Sequence, residues 1–299
     1  MRTITPSLGR SVVTLCALVA ASVLPAQQRV DRRYALSPAG SVRLTVVGPR
    51  SVIRVVGWQR DSVAITGTIA EGDRFDGGVL ATGAAGKFFV ESRGEGGVPA
   101  RLELRVPARA RVWVKAGSAE VDARDMAGAL DLNIVAGSIR VAGRPRELNA
   151  EAMDGDITVS EPVPWLRAKT AGGAITLRGG GEDVAASSVS GRISVDEGSF
   201  TRGRFETVTG DIDFSGGVDR QGMLTFDSHS GAVVLRVPPS LPASYDVTTI
   251  TGEISNELTP ARALLAAERR ARELGFTTGG GGAEIVIRTF KGPITLRRQ

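Results

Sequence analysis

One histidine stands in the chain, His229, flanked by Ser228 and Ser230 and following Asp227. Serine, histidine and aspartate are the residue types of an acyl-transfer triad. Such a triad is defined by spatial roles, so neighbours in sequence do not by themselves make one. His229 reads as a residue tolerated at a chain corner. The acids Glu151, Asp156, Glu206, Asp211, Asp213 and Asp227 could serve glycoside cleavage. That chemistry needs two carboxylates roughly 5–9.5 Å apart, one with a raised pKa. Stacked chain turns would supply that spacing almost anywhere, and the acids read as a solvated outer face. Glu71, Asp73 and Asp76 offer oxygen ligands for calcium without the spacing of a calcium loop. They read as a polar loop. Zinc would need ligands that one histidine and the lone Cys16 do not supply. The runs Gly179–Gly181 and Gly279–Gly282 lack the strand–helix setting and the lysine of a phosphate loop. No catalytic, cofactor-binding or metal residue is assigned, and no cofactor is expected.

A repeat would have to position any such groups. Small or polar residues, a glycine, any residue and an aliphatic residue recur around Gly117, Gly137, Gly155, Gly173, Gly191, Gly210, Gly231, Gly252 and Gly292. The spacings are 20, 18, 18, 18, 19, 21, 21 and 40, a period typical of stacked supersecondary units. Two residues after glycine stand Ile139, Ile157, Ile175, Ile193, Ile212, Val233, Ile254 and Ile294. Five before stand Val112, Leu132, Ala150, Ala168, Ala186, Phe205, Phe226, Val247 and Ile287. Polar residues alternate with them, so each strand buries one face. The glycines read as structural turn residues, able to take a positive φ and to leave a crowded bend free of side chain. The expected fold is all-β: a single-stranded β-helix or solenoid of about nine short repeats, with an irregular N-terminal β cap and one inserted helix. A sandwich or mixed antiparallel fold is the rival. The helix is expected over 259–275, with Thr259 as cap, Pro260 in the first turn, Gly275 at the end and an apolar stripe that includes Leu264, Leu265 and Leu274.

The beginning of the chain reads as a secretory signal over 1–26. Arg2 and Arg10 precede the apolar run of residues 11–24, and Ala26 offers a small-residue exit. Cys16 lies inside that run, so the mature chain would have no cysteine. Residues 27–104 are expected to form the capping β region, and 105–299 the repeats with the excursion at 259–275. No further apolar segment is long enough to span a bilayer after cleavage. The formal charge of +5 is spread along the chain, with no basic block that would favour nucleic acid.

Segments such as VKAGSAEV, AKTAGGAITL, SSVSGRISV, ETVTGDIDF and RTFKGPITL resemble the bacterial putative-adhesin domain, a family of unknown function. The resemblance spans roughly residues 40–298 and is strongest from 105 onward. It implies an envelope-associated or secreted β-helical domain and carries over no catalytic residue. The expectation is therefore a non-catalytic, exported cell-envelope protein that acts as an adhesin-like binding surface or a structural scaffold. It would be periplasmic or secreted, with outer-membrane association left open. Its partner would be an envelope protein or polysaccharide, and the ends of the stack offer a route to self-association. The alternatives are a ligand-sensing or signalling accessory and a polysaccharide-processing enzyme using the outward acids.

Overall fold

The computed structural model describes residues 27–92, 98–265 and 271–299. The expected signal segment and Cys16 lie outside the described residues. The chain forms twenty-two strands joined in one hydrogen-bonded sheet system. In chain order the first seven are β1 (Gln27–Ala35), β2 (Ser41–Val47), β3 (Ser51–Trp58), β4 (Ser62–Ala70), β5 (Arg74–Val79), β6 (Ala85–Glu91) and β7 (Ala100–Pro107). The next eight are β8 (Arg111–Arg124), β9 (Ala129–Ala142), β10 (Glu147–Val159), β11 (Trp165–Thr170), β12 (Ile175–Arg178), β13 (Gly181–Ser188), β14 (Ile193–Thr207) and β15 (Ile212–Ser228). The last seven are β16 (Val233–Val237), β17 (Ala243–Thr249), β18 (Ile254–Asn256), β19 (Leu264–Leu265), β20 (Arg272–Thr278), β21 (Ala283–Thr289) and β22 (Ile294–Arg298).

The long strands β8, β9 and β10 each bend through a corner and contribute to two walls. In one wall, Val112, Leu130, Leu148, Leu166 and Val184 lie side by side in parallel register. In the other, Ile139, Ile157, Ile175, Ile193, Ile212 and Val233 do the same. Their side chains are buried in one continuous apolar core. Its widest part holds Phe200, Phe205, Phe214 and Phe226, with neighbouring ring centroids 5.2–6.0 Å apart. These rings fill the interior where β14 and β15 slip in register.

The expected single-stranded β-helix or solenoid of about nine short repeats with an inserted helix is corrected. At the centre, β10 pairs with β11 and with β12, β11 with β13, β12 with β14, and β13 with β14. These pairings close into a five-stranded parallel barrel, because β10 bends at one corner and β14 at the opposite one. The remaining strands lie outside this ring. There is no helix among the described residues. Residues 264–265 form β19, and residues 272–278 form β20, which pairs antiparallel along the whole of β17. Helix propensity is a weak prior of tenths of a kcal/mol per residue. Against it stands the row of unpaired amides and carbonyls that β17 would otherwise expose. Pairing also buries Ala271 and Leu274 and lays Phe276 on Tyr245 with centroids 4.4 Å apart. Asn256 turns the preceding segment by accepting from the Leu258 amide and donating to the Ala261 carbonyl, each at 3.0 Å.

Chain order is also broken at both ends. β15 pairs with β21 and β16 with β22, so β17 and β18 lie outside the last pair. At the other end β8 pairs with β2 and β3, and β6 and β7 lie outside those. Antiparallel β5 and β4 then cover β6 and β7, and β1 covers β4. Arg29, Asp31, Arg32 and Arg33 make β1 a charged edge strand, which disfavours edge-to-edge pairing.

Candidate binding groove

The glycine corner sets the shape of the surface above it. A Cβ on Gly191 would sit 1.7 Å from the carbonyl oxygen of Gly173, and one on Gly231 would sit 1.7 Å from that of Gly210. The backbones pass too closely for any side chain. Among the nine turn glycines only Gly137 has a positive φ, at 116°, so close approach rather than handedness selects glycine at the others. Gly137 pairs with Gly155 on one side and with Ala119, not Gly117, on the other.

Three residues before the glycines runs a buried hydroxyl column of Thr170, Ser188, Thr207, Ser228, Thr289 and Thr249. These side chains satisfy the corner backbone. Ser188 Oγ accepts from the Gly191 amide at 2.8 Å, and Thr207 Oγ1 from the Gly210 amide at 3.0 Å. Ser228 donates to the Gly231 carbonyl at 2.9 Å. Thr289 donates to the Gly292 carbonyl at 2.6 Å.

Two residues before each turn glycine from Gly137 onward one side chain points outward at the corner. In successive turns these are Val135, Met153, Ala171, Val189, Val208, His229, Phe290 and Ile250. They form an apolar ridge across the strands. Val189, Val208 and Phe290 are exposed, and the His229 ring stacks on Phe290 at 5.0 Å. Beside the ridge runs a polar row in direct register: Glu151, Lys169, Ser187, Glu206, Asp227, Arg288 and Thr248. Between ridge and row lies an open groove of about 870 Å³, to whose lining Glu273 of β20 also contributes. Glu206 pairs with Arg204. Burial, followed by the charge of Glu206, raises the Asp227 pKa above the ordinary carboxylate value, and Arg288 and Arg204 oppose the shift.

Of the acids singled out from sequence, the structure brings Glu206 and Asp227 side by side in this row. Glu151 stands at the far end of the same row, and the other three acids brace the fold elsewhere. Asp156 accepts from the Ala174 amide at 2.8 Å, Asp211 accepts from Ala232 at 3.0 Å and from Arg192 at 2.9 Å, and Asp213 pairs with Arg236. Ser228 points inward and His229 outward, so the sequence cluster around the histidine is split between core and surface. Asp73 is buried and accepts from the Ala70 amide at 3.1 Å. Among the described residues no group of three or more histidine, cysteine or acidic side chains could hold a metal. No helix there is long and apolar enough to cross a membrane. The ridge itself was missed as a feature. Its signal was an apolar residue recurring at an outward position, two before the glycine.

The three tryptophans differ. Trp58 is approached by Arg33 and Arg60, and Trp113 by Arg43 and Arg111, each guanidinium within 5.2–5.8 Å of its ring centroid. Trp165, at the start of β11, is 47% exposed. It borders a second hollow of about 750 Å³ on the same wall as the groove.

No family model matches the chain, and no curated protein does. Similar solved structures include the following three. One, from Parabacteroides distasonis, is described as a putative lipid binding protein; it is 14% identical, with 91% of this chain and 96% of that one covered and a TM-score of 0.45. Another, from Bacteroides fragilis, is described as a putative adhesin, with 10% identity, 92% and 99% coverage and a TM-score of 0.38. The third, a putative cell adhesion protein from Clostridium sporogenes, has 9% identity, 91% and 100% coverage and a TM-score of 0.24. At these values the likeness is distant.

Proposed function

We propose that the chain is a non-catalytic binding domain that holds an extended segment of an envelope protein in the groove between ridge and row. The observation that supports this most is the corner ridge of Val189, Val208, His229, Phe290 and Ile250 beside a row carrying both signs of charge. Apolar side chains of a partner would rest on Val189, Val208 and Phe290. Its polar groups would meet Lys169, Glu206, Asp227 and Arg288. An exposed, largely apolar strip is a usual mark of an interaction surface. The two adjacent carboxylates fit the same reading, since both have cationic neighbours in Arg204 and Arg288. An exported location, periplasmic or secreted, belongs to the proposal and draws on the leader-like residues 1–26.

The test is site-specific photo-crosslinking in cells that make the full chain. A crosslinker at position 189 or 208 is expected to capture discrete protein adducts. One at Thr158, on the opposite wall, is expected to capture none. Equal capture at both places, or none at either, would sink the proposal.

A further inference from the structure

The hollow beside Trp165 is a separate site. Leu148, Asn149, Pro164 and Trp165 line it, and the register neighbours of Trp165 are Glu147 on one side and Asp183 on the other. Trp58 and Trp113 each have arginines over the ring; among the described residues no cation lies over Trp165. Its ring is an open apolar platform on a polar wall. The charged groups around it are mostly engaged. Glu147 pairs with Arg111 at 3.3 Å, Arg167 with Asp183 at 3.0 Å, and Asp131 accepts from Asn133. Arg146 and the half-buried amide of Asn149 line the same hollow, and neither side chain has a hydrogen-bond or ion-pair partner among the described residues.

A flat aromatic face, a planar amide that both donates and accepts, and one free guanidinium answer one ligand chemistry. A pyranose ring has an apolar C–H face that can lie on an indole, and an edge of hydroxyls that exchange hydrogen bonds with an amide. A carboxylate on that ring would pair with a guanidinium in bidentate fashion. We propose that Trp165, Asn149 and Arg146 bind a uronic-acid unit of an anionic polysaccharide. The site does not depend on the groove being a protein-binding surface.

The experiment is calorimetric titration of the purified full chain with a β-mannuronate hexamer and, as the neutral counterpart, cellohexaose. The mannuronate hexamer is expected to bind and to perturb tryptophan fluorescence. Trp165→Ala is expected to weaken binding by about tenfold or more, and Arg146→Gln by about threefold to tenfold. Trp113→Phe, and Thr158→Ala on the opposite wall, are expected to leave affinity unchanged. Circular dichroism and the melting temperature of Trp165→Ala, an exposed position, check that the fold is retained. Absence of mannuronate binding at about 5 mM, or binding that survives Trp165→Ala, would overturn the site. Equal affinity for cellohexaose would overturn the assignment of an acidic sugar. Loss of adducts at 189 and 208 with mannuronate binding intact would count against the groove alone.

Discussion

The His229 imidazole lies flat against the Phe290 ring, with 5.0 Å between centroids and 5° between planes. The two residues sit in adjacent turns although residues 230–289 separate them in sequence. The contact follows from β15 pairing with β21, which leaves Ile250 beyond Phe290 rather than beside His229. The Phe290 amide donates to the Ser228 carbonyl at 3.1 Å, and the Ile250 amide to that of Thr289 at 3.2 Å.

That order can be tested with cysteine pairs once Cys16, the one cysteine in the sequence, is replaced by serine. Adjacent turns are about 4.8 Å apart, within reach of a disulfide, and alternate turns are about twice that and out of reach. The pair His229→Cys and Phe290→Cys is expected to crosslink under mild oxidation. The pair His229→Cys and Ile250→Cys is not. The reverse result, read by mass spectrometry, would mean that the turns follow one another in chain order.

Gly191→Ala should be among the most damaging small changes, since its methyl would meet the Gly173 carbonyl oxygen at 1.7 Å. Separating the two turns should cost about 1–3 kcal/mol or more. Gly78→Ala is the control, as nothing lies within 4 Å of a Cβ there. Urea melts of the two variants should differ clearly, and equal midpoints would contradict the packed corner.

Phe205 touches Phe200, Phe214 and Phe226, and all four are fully buried. Phe205→Ala is expected to destabilise by about 3–5 kcal/mol, through lost transfer energy and the cavity left behind. Phe205→Leu should recover much of this. A loss under about 1 kcal/mol for the alanine variant would show that the ring cluster does not hold the core.

The raised pKa of Asp227, caused by burial and then by Glu206, gives a signed pH dependence. Its neutral form suits the folded state better than its anion does. The associated stability is fully present below the unfolded carboxylate pKa of about 3.9 and is lost as pH rises through the folded value. Asp227→Asn should therefore gain on the parent as pH rises from 3.5 to 7. The gain should stay within about 0.5 kcal/mol, since the group is only partly buried. A difference in melting temperature that does not change with pH would contradict this.

The inward columns were legible. Ile139, Ile157, Ile175, Ile193, Ile212 and Ile294 stand at the expected positions, and all are buried. Alternation of period two reports burial directly, because each strand has one wet face. Which turn lies beside which was not legible. Similar columns are equally compatible with Ile212 beside Val233 and Val233 beside either Ile254 or Ile294. The register at Gly137 was misread for a related reason: the motif spacing there is 20, but the backbone steps 18 to pair Gly137 with Ala119. The helix over 259–275 failed because local propensity cannot see the unpaired edge of β17. At the candidate sites, sequence gave the outward acids but not the ridge, whose apolar residues look like ordinary corner residues until they are stacked. Nor could it distinguish Trp165 from Trp113, since that difference lies in arginines brought by neighbouring strands.

The exchanged order at the two ends bears on how the chain assembles when it emerges N-terminus first, as from a translocation pore. Strands β8 to β15 can add one turn at a time, each onto a neighbour already made. β2 and β3 are synthesised early but gain their inner partner only when β8 appears. β17 and β18 emerge onto a place that β21 and β22 must fill first. The middle is therefore built from near contacts and both ends from distant ones, which form slowly. A stalled or truncated nascent chain would expose the very edges that the finished protein keeps covered, so these ends are where a chaperone would be needed.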